Sequence, residues 1–201
     1  MLTAILDALY PPTCLGCGAR GSALCGACTP GASERIRFER AGLPIVACGR
    51  YGGTLRRAIL RFKRGRRDGA APLASLLGEA FAWDGVSPEI VVVPVPTTPA
   101  NARERGFDQG VALARELARR DDRPVLTALR KRVARDQRGH SRVERLLARD
   151  RFVVVSPSLI AHAHVVLIDD VVTTGATLAD CARTLTASGA NVVGTFVLAY
   201  A

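Results

Sequence analysis

The residues before the C-terminus alternate sharply between apolar and polar stretches. Residues 165–168 (VVLI) form an uninterrupted apolar run, the pattern of a parallel strand buried on both faces, and two adjacent aspartates follow it. GATLADCARTLTASGA then predicts a helix up to Gly189, and NVVGTFVLAY predicts a further strand. Residues 165–200 therefore read as a βαβ unit whose first turn is DDVVTTGAT. Earlier, IVVVPVP at 90–96 predicts a strand that stops near Pro94, because proline cannot donate to a central ladder. A helix beginning near Phe107 follows, with Val111, Leu113, Ala114 and Leu117 on its core face. Residues 45–83 predict a strand, a turn at Gly52 and Gly53, and two helices split by a basic, glycine-containing loop. Leu55, Ile59, Leu60 and Phe62 carry the helical spacing of the first. Residues 29–42 look polar and irregular. They suggest a boundary between an N-terminal part, 1–40, with a helix and a cysteine-rich segment, and an α/β domain, 41–201.

Composition narrows the class. Of the 201 residues 48% are hydrophobic and 23% charged, the balance of a soluble globular chain with a real core. The formal charge of +10 favours a polyanionic partner, while only 5% aromatic residues leave few stacking platforms for single strands. Two basic blocks carry the charge. One holds Arg56, Arg57, Arg61, Lys63, Arg64, Arg66 and Arg67; the other, 130–152, places Arg142, Arg145 and Arg149 on one helix side. Each fits a solvated helix face or an anion-binding one. No run approaches the roughly 20 apolar residues of a membrane helix. Asp7 stands where a secretory signal would be basic, so the expectation is a cytoplasmic protein without membrane insertion. His140, His162 and His164 have no partners at ligand spacing.

In a reducing compartment, clustered cysteines point to metal before disulfides. Cys14 and Cys17 form one C-x-x-C pair and Cys25 and Cys28 a second, with small residues between that let the backbone curl into two knuckles. Four thiolates suit a closed, structural, tetrahedral Zn²⁺ site, with a redox pair or disulfides as the alternatives. The segment is too short and glycine-rich to bury a core, so metal binding would supply its folding energy. Cys48 and Cys181 stand alone and read as small buried hydrophobes.

The segment after VVLI carries the most specific chemistry. A helix N-terminus offers unpaired N–H groups and a dipole that favours an anion. Thr173, Thr174 and Thr177 add hydroxyl donors and Gly175 allows close approach, which together make a monophosphate cradle. Asp169 and Asp170 just upstream suit a polyhydroxyl group such as ribose, with a divalent cation nearby. The stretch VVLIDDVVTTGATL resembles the phosphoribosyl diphosphate (PRPP) signature of type I phosphoribosyltransferases. By that resemblance Asp169 and Asp170 hold the ribose, and Val172, Thr173, Thr174, Gly175, Ala176 and Thr177 form the 5-phosphate loop.

PPTCLGCG, YGGTLRRAILRFKRG, VPVP and RERGFDQ precede that signature in the order of ComF-family proteins, which the chain resembles over almost its full length. The resemblance implies a type I phosphoribosyltransferase-like, mainly parallel sheet flanked by helices, with a small N-terminal zinc module. It implies a diphosphate loop at Pro94, Val95, Pro96, Thr97 and Thr98. Arg103, Arg105, Gly106 and Gln109 fall in a family motif, where Asp108 replaces a commoner asparagine; Arg103, Arg105 and Lys63 are candidate anion-binding residues. The implied activity is Mg²⁺-dependent transfer of ribose 5-phosphate from PRPP to an acceptor, with a link to competence. The alternative is a non-catalytic accessory that keeps the fold for ligand sensing and binds DNA or proteins of a DNA-uptake machine. Acceptor choice would rest on a variable hood, built from residues before 89 or from 121–160.

Overall fold

The computed structural model describes residues 11–31, 34–81, 87, 89–132 and 151–201. The N-terminal helix expected before residue 11, and the second basic block's Arg142, Arg145, Arg149 and His140, lie outside the described residues.

A five-stranded sheet runs in the order β1-β2-β7-β6-β3, with β1 at Ile36–Arg40, β2 at Leu43–Arg50, β3 at Val91–Pro94, β6 at His164–Val172 and β7 at Asn191–Tyr200. β2, β7, β6 and β3 are mutually parallel and only β1 is antiparallel, so the mixed α/β fold with a mainly parallel sheet is as expected. A two-stranded ribbon, β4 (Leu129–Lys131) and β5 (Phe152–Val154), lies apart from it.

Each sheet face carries its own core. On one side pack α1 (Gly53–Lys63), α2 (Ala70–Phe81) and α4 (Gln109–Arg120). α1 buries Leu55, Ala58, Ile59 and Phe62, the i, i+3, i+4, i+7 stripe of an amphipathic helix. On the other side lie α6 (Ala176–Thr186), the ribbon and the short α5 (Pro157–Ile160). The strands between them are buried on both faces: Val166 and Ile168 belong to the first core, Val165 and Leu167 to the second.

Three expectations are corrected. Residues 29–42 are not irregular throughout: β1 occupies 36–40 and pairs with β2 through a tight turn at Ala41 and Gly42, both at positive φ. Its mixed polarity is that of an edge strand with a solvated face, a pattern easily read as loop. The strand after residue 165 does not end at the acids but continues through them to Val172, still paired with β7. The chain between Pro94 and residue 107 also forms a helix, α3 (Pro99–Arg105), before α4 starts at Gln109 rather than at Phe107. Thr98 caps α3 and Asp108 caps α4, each accepting a backbone N–H three residues on. Among the described residues, no helix is long and apolar enough to cross a membrane.

Candidate ligand site and metal centre

β3 and β6 are neighbours, with Pro94 opposite Ile168. The chain leaves β3 toward α4 on one face and leaves β6 toward α6 on the other, which opens a crevice at their C-terminal ends. A cleft of about 220 Å³ fills it, lined by Val95, Pro96, Thr97 and Thr98 from one loop, by Asp169, Asp170 and Thr177 from the other, and by Lys63, Asn101, Arg105, Gln109, Gly110 and Lys131.

Because adjacent strand residues point to opposite faces, the two acids diverge. Asp170 is buried toward α1, where its Oδ1 pairs with Lys63 Nζ at 2.8 Å. Asp169 is half-buried and its Oδ1 accepts from the Asp170 backbone N–H at 2.8 Å. Burial first, and repulsion from Asp170 second, push the Asp169 carboxyl up to about 8. Among the described residues Asp169 forms no ion pair of its own, which suits it to hydroxyl donors or a divalent ion. Gln109 Oε1, in the same cleft wall, is buried without a hydrogen-bond partner among the described residues. An orphaned acceptor beside a carboxylate is the donor set of a hard cation or a polyol, so the residues fit Mg²⁺ with a sugar phosphate.

The turn after β6 forms a small concavity lined by Asp169 and by Val171 through Leu178. Gly175 sits at φ 80 as the N-cap of α6 and supplies no side-chain cap; only the Ala176 N–H is met locally, by Thr174 Oγ1 at 3.3 Å. A Cβ on Gly175 would stand 3.2 Å from Arg40 Cγ and Ala41 Cβ, so the β1–β2 turn lies against the loop. Arg40 Nη1 donates to the carbonyls of Thr173 and Ala201. Arg40 went unnoticed in the sequence because it lies in a polar stretch with no motif; only the pairing of β1 brings it here.

The second loop is braced from behind. Asp108 Oδ2 accepts from the Thr97 N–H at 3.3 Å, and a Cβ on Gly110 would come within 2.7 Å of Val95 O, so only glycine lets α4 start this close. Arg105 reaches the cleft, whereas Arg103 is exposed outside its lining and Pro94 is buried in β3 behind it. Lys131 enters from β4, a proximity without a local sequence signal.

In the N-terminal segment, the sulfurs of Cys14, Cys17, Cys25 and Cys28 all lie within 4.8 Å of one another. Cys14 Sγ is 3.6 Å and Cys17 Sγ 3.7 Å from Cys25 Sγ. A tetrahedral ion with M–S bonds of about 2.3 Å has sulfurs about 3.8 Å apart, so the cluster fits zinc. Burial would raise Cys14, but amides of Cys25, Cys17 and Gly16 outweigh it and hold the thiol down near 6. Cys28 is pushed up to about 12, by burial and then by the neighbouring sulfurs, so a metal would have to displace its proton. A Cβ on Gly16 would lie 2.6 Å from Cys28 Sγ. Cys48 and Cys181 are buried hydrophobes, as expected.

The first basic block has an unexpected employment. Arg57 Nε donates to Gly16 O at 2.9 Å, and Arg61 Nη1 donates to Cys14 O at 3.0 Å and Leu15 O at 3.1 Å. Arg66 donates to Thr13 Oγ1 and O at 3.0 and 2.8 Å. Three arginines read as solvated or anion-facing therefore satisfy knuckle carbonyls. Leu15 sinks fully into the core, where a Cβ on Gly69 would lie 2.4 Å from its Cδ1.

Residues 107–201 match the phosphoribosyl transferase domain. The chain is 31% identical over 150 residues to competence protein ComFC of Bacillus subtilis (strain 168), covering 74% of this chain and 60% of that protein. It is 33% identical over 114 residues to competence protein F of Haemophilus influenzae, covering 55% and 50%. The chain thus spans between half and two-thirds of the length of these relatives. The ComFC alignment is longer than the matched domain and so extends into the residues before it. On this agreement of fold, domain and relatives, the chain belongs to the ComF family of phosphoribosyltransferase-fold proteins.

Proposed function

We propose that this protein binds PRPP with Mg²⁺ and transfers its ribose 5-phosphate to an acceptor, with Zn²⁺ held structurally by the four cysteines. The observation that carries the reading is the meeting of three features in one crevice: a half-buried Asp169 with no ion pair among the described residues, a side-chain-free helix N-terminus at Gly175, and a glycine-backed second loop at 95–98. In this reading Asp169 accepts from the ribose hydroxyls, and Asp170 with Lys63 sets the neighbouring wall. Residues 172–177 hold the 5-phosphate through backbone N–H groups and threonine hydroxyls. Residues 95–98, with Arg105 and Lys131, receive the diphosphate. When bound, Mg²⁺ would neutralise charge on the departing diphosphate. The chain's own contribution is electrostatic: amides and cations aimed at the phosphates, and a carboxylate beside the ribose ring where positive charge develops.

The relatives' names attach them to competence, and a role for this chain in that process, in the cytoplasm, belongs to the same proposal. The DNA-gripping alternative loses support, since Arg57, Arg61 and Arg66 of the first basic block are spent on the cysteine module.

Titrating PRPP with Mg²⁺ into wild-type protein and Asp169→Asn tests the reading. A loss of affinity in the variant is expected, and equal affinity would sink the assignment. Diphosphate release across a panel of bases and amines then tests transfer.

A further inference from the structure

α1 is the one element that touches both centres directly through side chains among the described residues. Its Arg57 and Arg61, one turn apart, hold the carbonyls of Gly16, Cys14 and Leu15. Its last residue, Lys63, holds Asp170 at 2.8 Å. Arg61 and Lys63 are only about 3 Å apart along the helix axis, within one turn of continuous helix. The pair at its end tolerates little displacement. Asp170 is buried, with its side chain 8% exposed, so a shift of about 1 Å that lengthened its bond to Lys63 would leave a buried carboxylate short of its cation. Leu15, wedged against Gly69 and the Phe62 core, gives the module a second hold on the same helix.

We propose that the four-cysteine module is a positioning element for the ligand site: by tying down Arg57 and Arg61 it sets α1, and α1 sets Lys63 against Asp170. Arg57, Arg61 and Lys63 are positioning residues. Metal bound at the knuckles fixes the Cys14, Leu15 and Gly16 carbonyls that the arginines grip. Without metal those carbonyls lose their geometry, α1 loosens at that face, and the cleft wall at Asp170 loosens with it. The inference rests on the reading of the cleft as a sugar-phosphate site, but its mechanical part does not.

The test uses the full, zinc-loaded chain, with ribose 5-phosphate and Mg²⁺ as the probe and calorimetry as the readout. Chelation of zinc, and Arg61→Met with its zinc content unchanged, should each weaken binding about tenfold, within the usual range of coupling between sites. In Lys63→Gln, which lacks the terminal contact, chelation should add less than about a further twofold, because the two changes act through one link. A general loss of stability would not show that non-additivity. Wild-type affinity in Arg61→Met, or an undiminished chelation effect in Lys63→Gln, would overturn the proposal. Should Arg61→Met fail to fold, Arg57→Gln, an exposed residue with a single tie, takes its place. Hydrogen exchange without ligand provides the independent arm. Zinc removal should raise exchange in 53–63 and 169–173 as well as in 14–28, and a rise confined to 14–28 would overturn the proposal. If the zinc-loaded wild type binds no ribose 5-phosphate, the functional reading fails, while the exchange comparison still decides the coupling.

Discussion

Residues 14–28 and the loop 173–177 are both short, glycine-bearing turns too small to own a core, and they are ordered from opposite directions. The loop is held by what flanks it: a strand paired on both sides as far as Ile168 and an eleven-residue helix, with Arg40 clasping Thr173 O from outside. It is ordered before any ligand arrives, with donors left over. Among the described residues, no such strand or long helix adjoins the knuckles. Their carbonyls are met by arginines of α1 and by Arg66, and their four sulfurs converge on a point that suits an ion. Preorganisation by flanking elements leaves groups free to bind a substrate, whereas order that depends on a ligand leaves nothing free. The first arrangement suits a turnover site and the second a structural one.

The comparison can be broken most severely at the cysteines. Cys28→Ser should abolish stoichiometric zinc and lower the melting temperature by more than about 10 °C, because metal binding is folding energy there, on the order of several kcal/mol. Zinc content and a thermal melt check both. Asp169→Asn should do the reverse: about a hundredfold loss of PRPP affinity with a melting temperature unchanged or raised, since it removes a desolvated acid that repels Asp170. A destabilised Asn variant would argue that the acid pair is structural. Gly175→Ala should show the intermediate case. Its φ of 80 costs a side chain on the order of 1 kcal/mol, and the new Cβ presses on Arg40 and Ala41. We expect about a fivefold to tenfold loss of ribose 5-phosphate affinity with a melt shifted by only a few degrees.

The smallest effect is in pH. The Asp169 carboxyl titrates near 8 in the fold against an ordinary value of 3.8, so between these the folded chain holds the extra proton. Its contribution to stability is therefore greatest at low pH and declines as pH rises through that window. A ligand that needs the carboxylate must expel the proton, so affinity should climb as pH rises toward 8, with uptake by buffer of up to about one proton. Calorimetry in two buffers of different ionisation enthalpy measures that release, and Asp169→Asn should abolish it.

Most of the architecture was legible because it is written in local patterns. VVLI, IVVVPVP and NVVGTFVLAY are runs that only a doubly covered strand explains, and the α1 stripe of Leu55, Ile59 and Phe62 is periodic. β1 was not legible, since an edge strand with one wet face has no long apolar run and its identity lies in its pairing with β2. The acids misled on the strand's length for a related reason. Charges at 169 and 170 looked like an end, yet the ladder to β7 carries the strand past them because each side chain leaves the sheet on its own face at the crevice.

What the sequence determined by itself is the chemistry available: two C-x-x-C pairs, an acid pair before a glycine-threonine turn, and a proline-ended strand before a helix. Those are short-range facts, set by spacing along one chain and by the few backbone conformations that glycine, proline and capping side chains permit. Only the tertiary structure decided which acid Lys63 takes, because it reaches Asp170 across more than a hundred residues of chain. It also decided the fate of the arginines. A charged stripe on a helix faces water, a ligand or a neighbour's carbonyls with the same spacing, and the choice among them belongs to whatever element packs alongside. Here that element is the cysteine module, which turns Arg57 and Arg61 from a basic surface into an internal clasp.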